Sequence, residues 1–132
     1  MAKYAFPAVF TLAEEGGYTV NFPDVPNCFT DGDTLAEAIE MANDVLCLRL
    51  YDIEESGESV PVPSPPDSIH KEENEFVSMV ACDTLEYRKF FDKKAVKKTL
   101  TIPNWLNIMA ERAGVNFSAV LQEALLEKLN IH

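Results

Sequence analysis

Lysine and threonine side chains alternate with apolar ones in a short stretch near the end of the chain. The polar members are Lys97, Thr99 and Thr101. Leu100 and Ile102 lie between and after them, and this period of two predicts a strand over residues 97–102 with its apolar side chains inward. Two such strands form a ribbon that fits the DNA major groove, where lysine and threonine can hydrogen-bond to base edges. The chemistry predicted here is the reading of DNA sequence.

A second candidate DNA contact lies at the start of the last predicted helix. Asn116 is a good N-cap, and the free amides of Phe117 and Ser118 behind it can hold a phosphate. Apolar residues at three-to-four spacing predict this helix and a shorter one between Pro103 and Gly114. Base reading and phosphate binding are thus assigned to different residues.

The predicted strand at residues 97–102 has no other strand near it in the sequence. A lone strand leaves a row of unpaired amides and carbonyls, and two copies of the chain can satisfy them by pairing antiparallel about a two-fold axis. We therefore expect an obligate homodimer through this strand, with a tetramer left open. The alternative is a dimerisation arm alone, whose threonines are strand formers on a solvated face.

The order of strand, Pro103, helix, residues 114–118 (Gly-Val-Asn-Phe-Ser) and helix resembles a ribbon-helix-helix DNA-binding domain. The resemblance covers residues 97–132. Lys98 stands where such domains usually place an apolar, inward residue.

Length and composition allow one domain or two small ones, since the chain has 132 residues and 47% hydrophobic content. No apolar run is long enough to span a membrane, and the N-terminus has no signal-peptide pattern, so we expect a cytoplasmic protein without a membrane partner.

The net charge of −11 is unevenly distributed. Residues 93–132 carry 6 basic and 3 acidic side chains, a net charge of +3, whereas residues 1–92 carry 5 basic and 19 acidic ones, a net charge of −14. The acidic part would repel nucleic acid and could hold a basic protein. On charge alone, the acidity could equally serve solubility.

Alternating residues on both sides of Gly16 and Gly17 predict a β-hairpin over residues 4–12 and 18–22. Pro7 predicts that the first strand lies at an edge or a bulge. A third short strand is predicted at residues 28–30.

A capping box formed by Thr34 and Glu37 predicts a helix over residues 35–55. The polar side chains of this helix are expected to face water and to form a candidate partner surface: Glu40, Asn43, Asp44, Asp52, Glu54 and Glu55. The proline-rich residues 56–74 are predicted to be extended and partly mobile.

Residues 76–82 are apolar on both faces, which predicts a fourth strand in the centre of the sheet. A second capping box at residues 83–86 opens a short helix to about Phe91. Residues 92–95 are the predicted hinge between the two domains.

Four segments resemble the HicB family of type II antitoxins. They are residues 17–18, residues 22–28 (Phe-Pro-Asp-Val-Pro-Asn-Cys), residues 32–38 (Gly-Asp-Thr-Leu-Ala-Glu-Ala) and the proline-rich residues 61–66. The resemblance implies an α+β chain, with a truncated RNase H-like βββαβ domain at residues 1–92 that binds toxin and a ribbon-helix-helix dimer domain at residues 93–132.

The implied partners are a small, basic HicA-like toxin that cleaves mRNA and the operator DNA through which the protein represses its own operon. A stand-alone ribbon-helix-helix transcriptional regulator, whose first domain senses a ligand or oligomerises, remains the alternative.

An RNase H-type nuclease needs several carboxylates that converge on two divalent ions. The predicted first and fourth strands contain no acid, and Asp24, Asp31 and Asp33 lie in predicted turns that favour aspartate for backbone reasons. We therefore expect no catalytic residue, no metal site and no cofactor.

The three cysteines are widely separated, without a CxxC motif, and are expected to be buried structural thiols: Cys28, Cys47 and Cys82.

Overall fold

The computed structural model describes residues 2–131. The chain divides into two compact units, Met1–Lys94 and Ala95–His132, called the first and the second unit below. The described residues form an α+β structure with four antiparallel strands and four α-helices. The division falls two residues after the boundary that the sequence predicts between residues 92 and 93.

Four strands form one antiparallel sheet in the first unit. They are β1 (Lys3–Leu12), β2 (Tyr18–Asn21), β3 (Phe29–Gly32) and β4 (Glu75–Asp83). Their order in the sheet is β3-β2-β1-β4. The ends of each strand lie within two residues of the predicted ones, so the four strands predicted in this part of the chain are confirmed.

The order of the strands corrects two predictions. β1 lies inside the sheet rather than at its edge, and β4 forms an edge rather than the centre. Apolar residues on both faces of β4 predict a central strand. They do not determine how many strands pair with it, because the faces of a sheet and its edges are separate surfaces. The two faces of β4 are also covered to different extents. Val80 on the face toward α1 is 7% exposed, whereas Met79 on the other face is 43% exposed.

Pro7 nevertheless lies where β1 has a single neighbour. The Leu12 amide donates to the Asn74 carbonyl at the end of the β1 and β4 pairing, so even-numbered residues of β1 direct their hydrogen-bonding groups to β4. Odd-numbered residues direct theirs to the other side, where the pairing with β2 covers only residues 9–12 of β1. An amide hydrogen at position 7 would therefore point away from β4, to a side of β1 where the described structure has no neighbouring strand. Proline lacks this hydrogen, so no hydrogen bond of the sheet is lost.

The long helix α1 (Leu35–Ser56) covers one face of the sheet. It begins as predicted, since the Thr34 hydroxyl accepts a hydrogen bond from the Glu37 amide at 3.1 Å. Buried apolar residues from the helix and the sheet form the core: Ala38, Ala42, Leu46, Cys47, Leu50 and Ile53 from α1, and Phe6, Ala8, Phe10, Val20, Val80 and Cys82 from the strands.

Gly32 permits the tight connection between β3 and α1. A Cβ atom at this position would lie 2.5 Å from the Ala38 amide nitrogen and 2.7 Å from its Cα. Any larger residue would push the first turn of α1 away from the sheet, so the glycine is required by close backbone approach.

Residues 57–74 connect α1 to β4 without an α-helix, as predicted, and contain one 3-10 turn at Pro66–Ser68. The segment is attached to the β2–β3 turn by Asp24. The carboxylate of Asp24 accepts hydrogen bonds from the Ser64 amide at 2.8 Å and from the Ser64 hydroxyl at 2.6 Å. Asp24 thus has a structural role, but it acts on a segment 40 residues away rather than within its own turn. Asp31, also predicted to lie in a turn, lies in β3.

The first unit ends with α2 (Thr84–Phe91), which the predicted cap begins. The Asp83 carboxylate accepts hydrogen bonds from the amides of Leu85 at 3.0 Å and Glu86 at 3.3 Å. A carboxylate at this position also complements the positive end of the helix dipole.

The second unit contains α3 (Asn104–Arg112) and α4 (Phe117–Lys128). Gly114 lies between them with φ of 70°, a conformation that favours glycine after a helix. The Asn116 side chain caps α4 as predicted, accepting from the Ala119 amide at 3.1 Å. Residues 92–103 form neither helix nor strand in the single chain, so the strand predicted at residues 97–102 is not formed here; a strand needs a hydrogen-bonded neighbour.

None of the helices formed by residues 2–131 combines the length and the apolar character needed to cross a lipid bilayer.

Candidate partner-binding and DNA-binding surfaces

The side chains predicted to read DNA bases are all exposed. Lys97, Thr99 and Thr101 lie in the segment before α3 that has no regular secondary structure. Their alternation with Leu100 and Ile102 continues to favour a strand once a pairing edge is available.

The residues predicted to hold phosphate lie together at the start of α4. The Asn116 side chain is occupied by the cap, and Phe117 and Ser118 form the first turn behind it. Amides in the first turn of an α-helix have no acceptor within the helix, which leaves them available to an anion. Helix α3 separates this set from the lysine and threonine set along the chain.

The second unit has no buried side chain between residues 95 and 130. Its apolar side chains are instead exposed: Val96, Leu100, Ile102, Trp105, Leu106, Ile108, Met109, Val115, Phe117, Val120, Leu125, Leu126 and Leu129. Trp105 and Leu129 are each 64% exposed. A unit that leaves its large apolar side chains in water has not completed its core.

The first unit carries a groove of about 600 Å³ between α1 and the outer edge of β4. The residues that line it are Phe10, Ile39, Glu40, Asn43, Asp44, Ser78, Met79, Val80 and Ala81. Ser78 lies between the larger Phe76 and Val80 on the face that meets α1, and its small side chain leaves the space open. Glu40, Asn43 and Asp44 belong to the partner surface that the sequence predicts, whereas Ile39, Ser78 and Met79 were not identified from the sequence.

Glu54 corrects the prediction that all acidic residues of α1 face water. Its side chain is only 10% exposed. The Tyr4 hydroxyl donates to Glu54 Oε2 at 2.8 Å, and the Thr84 hydroxyl donates to the same oxygen at 2.9 Å. Glu54 therefore ties the end of α1 to β1 and to α2. Asp52 and Glu55 are exposed as predicted.

The titration of this cluster follows from its burial and its hydrogen bonds. Burial by itself would raise the pKa of the Glu54 carboxyl, but the hydrogen bonds that it accepts, including those from Tyr4 and Thr84, hold this pKa below its ordinary value. Burial and the bond to Glu54 raise the pKa of Tyr4 to about 12. The cluster is a charged structural contact that is stable at neutral pH.

The cysteines are free and buried, which confirms their prediction as structural thiols. Burial raises the pKa of the Cys28 thiol to about 11, so this thiol stays protonated at neutral pH. Among residues 2–131, no three His, Cys, Asp or Glu side chains are grouped so that they could hold a metal ion.

The chain's similarity to known proteins places it in a class of regulatory protein. Residues 6–124 match the family model described as the HicB-like antitoxin of the bacterial toxin-antitoxin system. The class is that of antitoxins, which are regulatory proteins rather than enzymes. The chain belongs to the HicB-like antitoxin family.

Curated relatives agree with this membership. The chain is 37% identical to antitoxin HicB of Escherichia coli K12 over 95 residues, which is 72% of this chain and 68% of that protein. It is also 37% identical to antitoxin HicB 1 of Photorhabdus laumondii over 89 residues, which is 67% of this chain. That match spans only 56% of the Photorhabdus protein.

Two solved structures have a similar fold. A chain from a toxin-antitoxin complex of Streptococcus pneumoniae superposes with a TM-score of 0.62 at 30% identity, over 96% of this chain and 99% of that one. The antitoxin HicB of Burkholderia pseudomallei superposes with a TM-score of 0.55 at 22% identity, over 96% of this chain and 98% of that one.

Proposed function

We propose that the chain neutralises a small, basic HicA-like toxin that cleaves mRNA, and that it represses its own operon by binding operator DNA as a homodimer. The first unit binds the toxin. The second unit pairs two chains and presents their lysines and threonines to the major groove.

Family membership and charge support the toxin-binding role. The S. pneumoniae neighbour, 30% identical, comes from a toxin-antitoxin complex. Residues 1–92 carry 5 basic against 19 acidic side chains, a net charge of −14. A protein that cleaves mRNA needs a basic surface to hold the phosphates, and complementary charges steer association and suppress wrong partners.

The element order of the first unit supports a shortened RNase H-like fold. Its strands and long helix follow the order βββαβ, with the sheet order β3-β2-β1-β4. β1 carries no acidic residue, and β4 carries acids only at its ends, Glu75 and Asp83. The unit would keep the fold for binding and lack the carboxylates that hold catalytic metal ions.

The exposed apolar surface of the second unit carries the proposal of a ribbon-helix-helix dimer. With no buried side chain between residues 95 and 130, the unit cannot hold its two helices by itself. A second copy would cover Leu106, Met109 and Leu125, and residues 97–102 of both chains would pair as the ribbon. Lys97, Thr99 and Thr101 would then project from its outer face.

Growth rescue tests the toxin-binding role. The probe is the HicA-like toxin from the reading frame adjacent to this chain's gene, expressed from an inducible promoter. We expect the full chain and a truncation to residues 1–94 to restore growth, and residues 95–132 alone to have no effect. Rescue that is lost on truncation to residues 1–94 would contradict the division of roles between the units.

Gel shifts with the operon's upstream DNA test the DNA-binding role. Thr99→Ala should weaken operator binding about 10-fold with little change for random DNA, because a base contact carries discrimination. Lys97→Ala should weaken binding to the operator and to random DNA alike. It should also reduce by about one the number of counterions released on binding, as read from the slope of affinity against salt concentration. Lys128→Ala removes the same charge from the far end of α4 and is the matched control.

Equal effects of the Lys97 and Lys128 substitutions would count against the ribbon as the reading element. Operator binding without any rescue from the toxin would instead favour the stand-alone regulator.

A further inference from the structure

The two edges of the sheet differ in how they are protected against added strands. Edge strands are usually short, charged, bulged or interrupted by proline. β3 is four residues long and carries Asp31. β4 is nine residues long, and its residues 76–82 contain neither a charged residue nor a proline. The β4 edge is therefore the one on which another strand can add.

The backbone groups on this edge can be assigned residue by residue. The Asn74 carbonyl accepts from the Leu12 amide, so even-numbered residues of β4 bond to β1 and odd-numbered ones face outward. The Asn43 side chain agrees with this, since it reaches from α1 to the Ala81 carbonyl. The Asn43 side chain thus occupies the Ala81 carbonyl, so an added strand cannot bond to that carbonyl. The backbone amides and carbonyls of Val77 and Met79 point away from β1, to the side of β4 on which the described chain has no strand.

The groove beside this edge favours a basic partner. Glu40 and Asp44 lie one turn apart on α1 and line it, and among residues 2–131 no basic side chain does so. Ile39 on α1 is 49% exposed, so the groove also offers apolar surface to the stem of a lysine or an arginine.

A second copy of this chain fits the groove less well. Pairing two β4 edges about a two-fold axis would place a copy of α1 on each side of the new pair, and Glu40 and Asp44 of both copies would then share one region. Like charges brought together oppose such an interface.

We propose that an extended, basic segment of the toxin adds to residues 76–80 of β4 as a fifth strand, with its cationic side chains beside Glu40 and Asp44. This inference rests on the proposed function, because the toxin is the partner that supplies the strand. Main-chain bonds at Val77 and Met79 would supply affinity, and the groove would select positive charge.

Residue-resolved hydrogen exchange of the full chain tests the strand addition, with the adjacent-gene toxin as the probe. In the free chain, the amides of Ser78 and Val80 should exchange slowly and those of Val77 and Met79 quickly. Toxin should slow exchange at Val77 and Met79 at least about tenfold. The amides of Ser78 and Val80, already bonded to β1, should remain slow.

Charge reversal tests the groove with a matched control. Glu40→Lys with Asp44→Lys should weaken toxin binding about 100-fold by calorimetry. Glu15→Lys with Asp31→Lys makes the same change of charge at exposed positions outside the groove and should weaken it less than about fivefold. Circular dichroism of each variant verifies that the fold is retained.

The outcomes separate this inference from the proposed function. Toxin that binds without slowing exchange at Val77 and Met79 overturns the strand addition and leaves the antitoxin role intact. Toxin that does not bind the full chain overturns both. If the amides of Val77 and Met79 exchange slowly in the toxin-free protein, and more slowly as the protein concentration is raised, the edge pairs with a second copy. That result would overturn the inference.

Discussion

The first and second units bury their apolar side chains to very different extents. Phe6, Ala8, Leu46 and Leu50 of the first unit are 0% exposed. In the second unit, Trp105 and Leu129 are each 64% exposed, and no side chain between residues 95 and 130 is buried. The first unit has the core of an independently stable domain, whereas the second has the apolar surface of half a domain.

The largest expected effect comes from the core of the first unit. Phe10 is 1% exposed, and Phe10→Ala should lower the free energy of unfolding by about 3–5 kcal/mol, independent of protein concentration. Urea denaturation followed by far-UV circular dichroism measures this change. Thr19→Ala, at an exposed position of β2, is the control, and a concentration-dependent loss for Phe10→Ala would break the comparison.

The next effect concerns the apolar face of the second unit. Ile102→Asp should raise the dissociation constant of the proposed dimer about 100-fold or more, because that dimer would bury the carboxylate between two chains. Sedimentation and the fluorescence of Trp105, the single tryptophan, both report the second unit. Thr101→Asp is the matched control, because Thr101 lies on the predicted outer face of the ribbon. If both variants dissociated the dimer equally, Ile102 and Thr101 would not lie on opposite faces as proposed.

A smaller effect is expected from the Glu54 cluster in the first unit. Glu54→Gln should cost about 2 kcal/mol at pH 7, because a charged acceptor of hydrogen bonds is lost. The folded pKa of Glu54 is lowered, so its contribution is present above the unfolded value of about 4.3 and is lost as pH falls through the folded pKa. The stabilities of the two proteins should therefore converge in acid. A constant difference down to pH 2 would exclude this linkage.

Asp24 should have a more local effect. Asp24→Ala removes the acceptor of both Ser64 hydrogen bonds and should cost about 1–2 kcal/mol. Ser64→Ala removes only the hydroxyl bond and should cost about half as much. Amide exchange over residues 60–66 measures the release of the segment, and unchanged exchange in Asp24→Ala would show that other contacts hold it.

The smallest effect is expected at the cap of α4. Asn116→Ala removes the bond to the Ala119 amide and should cost about 1 kcal/mol, whereas Asn116→Asp keeps an acceptor there. Thermal unfolding followed by Trp105 fluorescence measures both. Because the second unit is proposed to be stable only as a dimer, the cost should appear as a lower midpoint at every protein concentration.

The caps and the helices they begin could be predicted from sequence alone. Thr34, Asp83 and Asn116 each bond to an amide two or three residues further on, and such contacts depend only on neighbouring residues. The alternation that defines each strand is local in the same way.

The strand order and the role of Glu54 could not be predicted from the same patterns. Glu54 lies beside other acidic residues at the end of α1, which predicts a solvent-facing position. Its hydrogen-bond donors are Tyr4, 50 residues before it, and Thr84, 30 residues after it, and no local pattern reveals them. Residues 76–82 have the pattern of a central strand and form an edge. Neither feature has a signal within a short window of sequence.

The sequence by itself determined the helices, the four strands of the first unit, the uneven charge and the alternation of lysine and threonine before α3, because each depends on residues that are close along the chain. Only the tertiary structure decided which edge of the sheet is open, that a groove lined by Glu40 and Asp44 flanks it, and that the second unit has no core of its own. These properties depend on which distant segments pack together, and residue spacing does not encode that choice.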